Sequence, residues 1–258
     1  MSAIETAEPK AAVSGRYLYA IVDGDVDEKP YGFLGLEGCP VYALSDGQLT
    51  AVVSNLPGQK LRPERRRLAA HHDVLKRLMP LHTVLPMVFG LVADSPDAVR
   101  LVLRQNRDAL LAQLDRVRGH VEMGLRVTWD VPNIFEFLLG LHPDLKVFRD
   151  HVFRGARAPS YEEKIELGRH FEQTLSRERE QHAETITQLL SPHCTEIILN
   201  TPREEREIAK LVCLVDSGRL REFENGVIEV AKRYDHHYAF DFNGPWPPHS
   251  FVSLELQW

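Results

Sequence analysis

The chain has 258 residues, 43% of them hydrophobic and 26% charged, a composition that excludes disordered and fibrous proteins and allows two domains of about 100 to 150 residues each. Its 31 basic residues against 37 acidic ones leave a formal charge of −6, which excludes the basic field that holds nucleic acid through its phosphates. No apolar run reaches the roughly 20 residues of a membrane-spanning helix, and the three cysteines, Cys39, Cys194 and Cys213, fit neither a disulfide framework nor a zinc knuckle and point to a reducing cytoplasm.

In chain order, residues 1–15 are small and polar, without the apolar core of a secretory signal, and read as a disordered arm. Tyr17 to Val22 is a short apolar run ended by Asp23-Gly24-Asp25, which predicts a buried first strand. Val41 to Leu44 and Leu49 to Ser54 flank Asp46-Gly47, the strongest local signal of a hairpin. Between them, Tyr31 to Gly38 carries spaced glycines without a phosphate-binding signature and reads as a surface loop. Pro63 fits the first turn of a helix with Leu68, His71 or His72, Leu75, Leu78 and Met79 on its apolar side. Thr83 to Val92 predicts another buried strand, in which Phe89 fills a core and Gly90 allows close backbone approach. Ser95 as cap and Pro96 at the first helical position open one helix running to about Arg116.

Gly119 begins a second unit. His120 to Trp129 alternates with period two and predicts a half-buried strand. Two short helical stretches follow, Ile134 to Leu139 and Asp144 to Phe153, and then a helix from Tyr161 to Leu190 with an apolar stripe of Ile165, Phe171, Leu175, Ile186 and Leu189. Strands at Thr195 to Leu199 and Glu207 to Val215, a helix at Leu220 to Tyr234 and a last strand at His237 to Phe242 complete the order β, α, β, β, α, β. That order is the ferredoxin-like split βαβ arrangement. The prolines of Gly244 to Val252 stop the last strand, so this tail must run back over the protein, with Trp246 and Phe251 as its apolar anchors.

No nucleophile elbow, metalloprotease helix, phosphate loop or calcium loop occurs. The pairs His71-His72 and His236-His237 invite a metal, but adjacent side chains diverge on a helix or a strand, so neither pair is read as a ligand set. Catalytic, cofactor-binding and metal-binding residues are therefore set at none. Two other readings stay open: a ferredoxin-like module that binds a small molecule, and an enzyme with scattered residues such as His71, Asp73 and Glu136.

Several segments, taken together, resemble a known family. They are Tyr17-Leu18-Tyr19-Ala20-Ile21-Val22, Ala51-Val52-Val53-Ser54, His71 three residues before Val74, Thr83 to Val92, and Gly244-Pro245-Trp246-Pro247-Pro248-His249-Ser250-Phe251. In order and spacing this set is similar to gas vesicle proteins F and L, from about residue 16 to residue 252. The family often has arginine where Val88 stands and tyrosine where His249 stands. The resemblance implies a non-catalytic accessory protein, cytoplasmic and associated with gas vesicles, without cofactor. Its implied partners are the major shell protein and other accessory proteins, with neither nucleic acid nor membrane. A shell protein with a water-repelling face needs its apolar surface covered before assembly, which a soluble partner can do.

The combined expectation is an α+β protein of two domains. Residues 16–117 form a mixed α+β sheet domain and residues 118–243 a ferredoxin-like domain with extra helices. Residues 244–258 form a proline and aromatic tail packing back, on the N-terminal domain. The candidate structural and partner-contacting residues are Phe89, Gly90, Pro245, Trp246, Pro247, Pro248 and Phe251.

Overall fold

The computed structural model describes residues 14–57, 61–154 and 158–257. It divides into two compact units, one formed by Met1–Gly119 together with Trp246–Trp258 and the other by His120–Pro245. Both are α+β. Among the described residues no helix is long and apolar enough to cross a membrane.

In the first unit, β1 (Ser14–Asp23), β2 (Pro30–Leu34), β3 (Pro40–Ser45) and β4 (Leu49–Pro57) are followed by α1 (Arg65–Leu78). After α1 come β5 (Val84–Pro86), β6 (Val92–Ala93), α2 (Pro96–Gln105) and α3 (Arg107–Val117). The sheet order is β2-β3-β4-β1-β5, with β6 also on β1. The turn between β3 and β4 forms as its residues require. Gly47 takes φ +94°, and the Asp46 carboxylate accepts the backbone N–H groups of Gln48 and Leu49 at 3.0 and 2.9 Å. Because β1 is central, Tyr17, Leu18, Tyr19, Ala20, Ile21 and Val22 are all buried.

Four readings of this unit need correction. The arm is shorter than residues 1–15, since Ser14 and Gly15 already belong to β1; residues 1–13 lie outside the described residues. Tyr31 to Gly38 is not a plain loop, because it contains β2 and a one-turn helix that buries Leu36. Residues 83–92 are not one strand. Met87 N–H still bonds Tyr19 O and Leu18 N–H still bonds Leu91 O, both at 2.9 Å, but residues 88–90 loop away from β1 and Gly90 turns the chain at φ +99°. The helix expected from Pro96 to Arg116 breaks at Asn106, whose side chain holds Val102 O and Gln257 O at 2.8 and 3.0 Å. Ser95 does cap α2, its hydroxyl accepting Ala98 N–H at 3.1 Å.

The second unit runs β7 (His120–Trp129), α4 (Ile134–Leu141), α5 (Pro143–Val152), α6 (Tyr161–Leu190), β8 (Glu196–Asn200), β9 (Glu207–Asp216), α7 (Leu220–Ala231) and β10 (Tyr238–Trp246). Its sheet order is β10-β7-β9-β8. Met123, Leu125, Val127 and Trp129 of β7 meet Phe171, Leu175 and Ile186 of α6 and Phe223 and Val227 of α7 in one core. A capping box starts α6: Ser160 Oγ accepts Glu163 N–H at 3.2 Å while Glu163 Oε2 accepts Ser160 N–H at 2.7 Å. The helix buries Leu167 and Leu190 rather than Ile165, which is exposed. β10 does not stop at Phe242. It continues through Gly244 and Pro245 to Trp246, so the prolines that end the strand are Pro247 and Pro248.

Candidate functional site

The residues singled out around the tail gather in the first unit, on α1, the loop between β5 and β6, and the segment from Trp246. Tyr17 and Tyr19 project from the same face of β1, their rings 4.8 Å apart, and meet His71 of α1. His71 is 2% exposed. The Tyr17 hydroxyl donates to His71 Nδ1 at 2.8 Å, and His71 Nε2 lies 3.2 Å from Met87 O, an arrangement that fits an Nε2–H donor. Burial, helped by the neighbouring His72 and His249, lowers the pKa of His71 to about 4. Burial also raises the Tyr17 and Tyr19 hydroxyls above their ordinary range. The cluster is neutral near pH 7. Both nitrogens of His71 are already committed, which leaves no lone pair for a metal.

Phe89 packs edge-on against Tyr17 and His71 at 5.9 and 6.0 Å but is only half-buried, so it borders the core rather than filling it. Phe89→Ala should therefore cost about 1–2 kcal/mol in denaturant unfolding, less than the roughly 3–5 kcal/mol of a fully enclosed aromatic. Gly90 is exposed, and a Cβ added to it would meet nothing within 4 Å; its role is the left-handed turn, not close approach.

The tail lies along this cluster. Lys76 Nζ sits 3.9 Å above the Trp246 ring. Pro247 and Pro248 are buried and Pro245 is exposed. A single turn at His249–Phe251 lowers Phe251 into the core at 2% exposure. His249 meets His72 edge-on at 5.5 Å, and burial lowers its pKa to about 4. Further on, Ser253 N–H reaches Gln113 Oε1 at 3.3 Å, and Gln257 N–H reaches Asn106 Oδ1 at 2.9 Å.

From Val252 to Gln257 burial alternates along the tail. Ser253, Glu255 and Gln257 are exposed, whereas Val252, Leu254 and Leu256 are half-buried. The latter three form one wall of an open groove of about 230 Å³ whose other wall is Pro86, Met87, Val88 and Leu91. Among the described residues no charged one lines it. Val88 is 74% exposed, where the resembling family often has arginine. From the sequence, the alternation of Val252, Leu254 and Leu256 was a usable signal for this wall, but not for what it faces.

The residues of the scattered-enzyme reading each have local partners. Asp73 is exposed and pairs with Arg77 at 2.8 Å, and Glu136 belongs to the second unit, where it faces Arg149 at 3.9 Å. His236 and His237 stand in a turn rather than on a strand, so their rings approach to 4.0 Å, contrary to the divergence expected of neighbours. With Asp235 they are the one set of three metal-ligand atoms within 4.8 Å among the described residues. His237 Nδ1 already lies 3.0 Å from both Asp235 oxygens. Deeper in the second unit, Glu178 lies between His142 and His182 at 3.3 and 3.6 Å, and burial lowers the pKa of His182.

Residues 15–253 match the family model described as gas vesicle synthesis protein GvpL/GvpF. A gas vesicle protein F from Streptomyces sp. (strain CB03234) is 30% identical over 238 residues, covering 92% of this chain and 98% of that one. The crystal structure of the gas vesicle protein GvpF from Anabaena sp. PCC7120 is similar with a TM-score of 0.83 at 27% identity, over 94% of this chain and 99% of that one. The crystal structure of GvpF from Microcystis aeruginosa shares the fold, with a TM-score of 0.77 at 24% identity over 93% and 99% of the two chains.

Proposed function

Since the chain belongs to the gas vesicle synthesis protein GvpL/GvpF family, we propose that it carries out its gas vesicle accessory role by binding the hydrophobic shell protein during assembly, without catalysis. The observation that carries this reading is the family match over nearly the whole chain. The uncharged groove of the first unit supports it, because an apolar, open surface fits a partner whose own apolar surface must be covered. The tail supplies one wall of that groove, so Trp246, Pro247, Pro248 and Phe251 act on binding by holding Val252, Leu254 and Leu256 in place. The neutral, fully bonded Tyr17 and His71 cluster suits packing rather than acid–base chemistry. We also read the second unit as ferredoxin-like, on the basis of the strand order β10-β7-β9-β8 with α6 and α7 on one face.

Co-expression with the shell protein tests the reading. The wild-type chain should co-purify with it, and cross-links should concentrate at residues 86–91 and 252–256. Val88→Asp, a change at an exposed position, should weaken capture at least tenfold while leaving the unfolding midpoint in place. Absence of co-purification would discard shell-protein binding; capture that ignores Val88→Asp would move it to another surface.

A further inference from the structure

Sheets end in edges, and an edge with free backbone donors and acceptors invites another strand unless the sequence blunts it. Among the described residues three of the four sheet edges are blunted. β2 starts at Pro30, carries Gly32 at φ +82° and shifts register against β3. β5 has three residues and ends at Pro86. β10 bears Asp241 in its middle and Gly244-Pro245 near its end. β8 differs. Its sequence is Glu-Ile-Ile-Leu-Asn, with no proline, glycine or lysine, and it pairs with β9 in continuous register from Glu196 opposite Leu214 to Asn200 opposite Lys210. Among the described residues no strand lies on its other side.

Leu199 lies opposite Leu211, a core residue on the helix side of the sheet, yet is 51% exposed. Beside it, between β8 and α6, is an open groove of about 210 Å³ reaching Ala183 and Ile208. One lip of that groove is fixed, because the Arg179 guanidinium donates to the carbonyls of Glu204, Glu205 and Glu207 at 3.1, 2.7 and 2.9 Å. The site thus combines an extended backbone that asks for a strand with an apolar recess that asks for an aliphatic side chain.

We infer that β8 pairs antiparallel with β8 of a second copy of this chain about a two-fold axis at Ile198, joining two four-stranded sheets into one of eight strands. The strand's own charge pattern selects this occupant. In that register Glu196 faces Asn200 of the second copy, Ile197 faces Leu199, and Ile198 faces itself, so no like charges oppose one another. A shift of two residues either way would set Glu196 against Ile198 or beyond the strand, losing apolar pairs. Each Leu199 then reaches over the other copy's Ile197, next to the groove. A five-residue strand pair gives a small interface, so the dimer forms at high protein concentration.

Sedimentation velocity of the full chain over a rising concentration series tests this. The expected result is a reversible shift from monomer to dimer, with Leu199→Lys raising the dissociation constant at least tenfold and leaving circular dichroism unchanged. Should that variant fold poorly, oxidative cross-linking decides. Ile198→Cys, on the axis, should form covalent dimer above the wild-type background, and Glu196→Cys, off the axis, should not. A wild type that stays monomeric throughout, a dimer indifferent to Leu199→Lys, or equal cross-linking at both positions would overturn the inference.

Discussion

A chain ending at Pro245 is expected to lose the cooperative unfolding of its first unit while keeping that of its second. The reason is the packing of Phe251, whose loss alone should cost about 3–5 kcal/mol, as in Phe251→Ala, because a fully enclosed aromatic leaves a cavity its neighbours cannot fill. Truncation also removes the stacking of Trp246 on Lys76 and the ties of the tail to Gln113 and Asn106. A domain has roughly 5–15 kcal/mol in total, so the sum approaches the whole stability of the unit. The readout is clean. Of the three tryptophans, only Trp129 survives the truncation, and it lies in the core of the second unit. Its fluorescence should report an almost unchanged transition while amide exchange in β1 and α1 rises to the unprotected rate. Wild-type protection of β1 in the truncated chain would show the tail to be dispensable.

Acid should weaken the first unit well before ordinary carboxylates titrate. His71 is held at a pKa of about 4 in the folded chain, whereas an unfolded histidine titrates near 6.5. The unfolded state therefore binds the proton more readily. Stability from the neutral imidazole is fully present above about pH 6.5 and is lost as pH falls towards 4. Between pH 7 and 5 the loss from His71 is on the order of 2 kcal/mol. His249, whose pKa burial also lowers to about 4, adds a loss of the same sign. Urea midpoints of the first unit should fall over this interval. In His71→Gln, which starts less stable, the fall should be reduced. An equal fall in both proteins would assign the acid sensitivity elsewhere.

Much of this fold was legible where the determinants are local. Ser95 with Pro96, Ser160 with Glu163, and Asp46-Gly47 each dictate a backbone geometry within four residues, and each forms as the sequence requires. The misreadings share a different cause. Residues 83–92 look uniformly apolar, but their path is set by bonds to Tyr19, Leu18 and the Tyr17 hydroxyl, about 70 residues earlier in the chain. The break at Asn106 belongs to a contact with Gln257, 151 residues on. The anchors Trp246 and Phe251 were visible as large apolar side chains between prolines. His71 was visible only as half of a histidine pair, because the burial that keeps it neutral is created by β1 and by the loop after β5, far from it in the chain.

The first unit is interrupted by the second: residues 120–245 lie between its α3 and its tail. A ribosome therefore releases one wall of the apolar groove, residues 86–91, more than 150 residues before the other, residues 252–256. Until the second unit has been synthesised, the nascent first unit has a half-groove and an empty seat for Phe251. Any ligand that needs both walls is thus met only by chains whose translation has passed residue 256, and a chain stalled within the second unit lacks the second wall and the side chain that completes its first core.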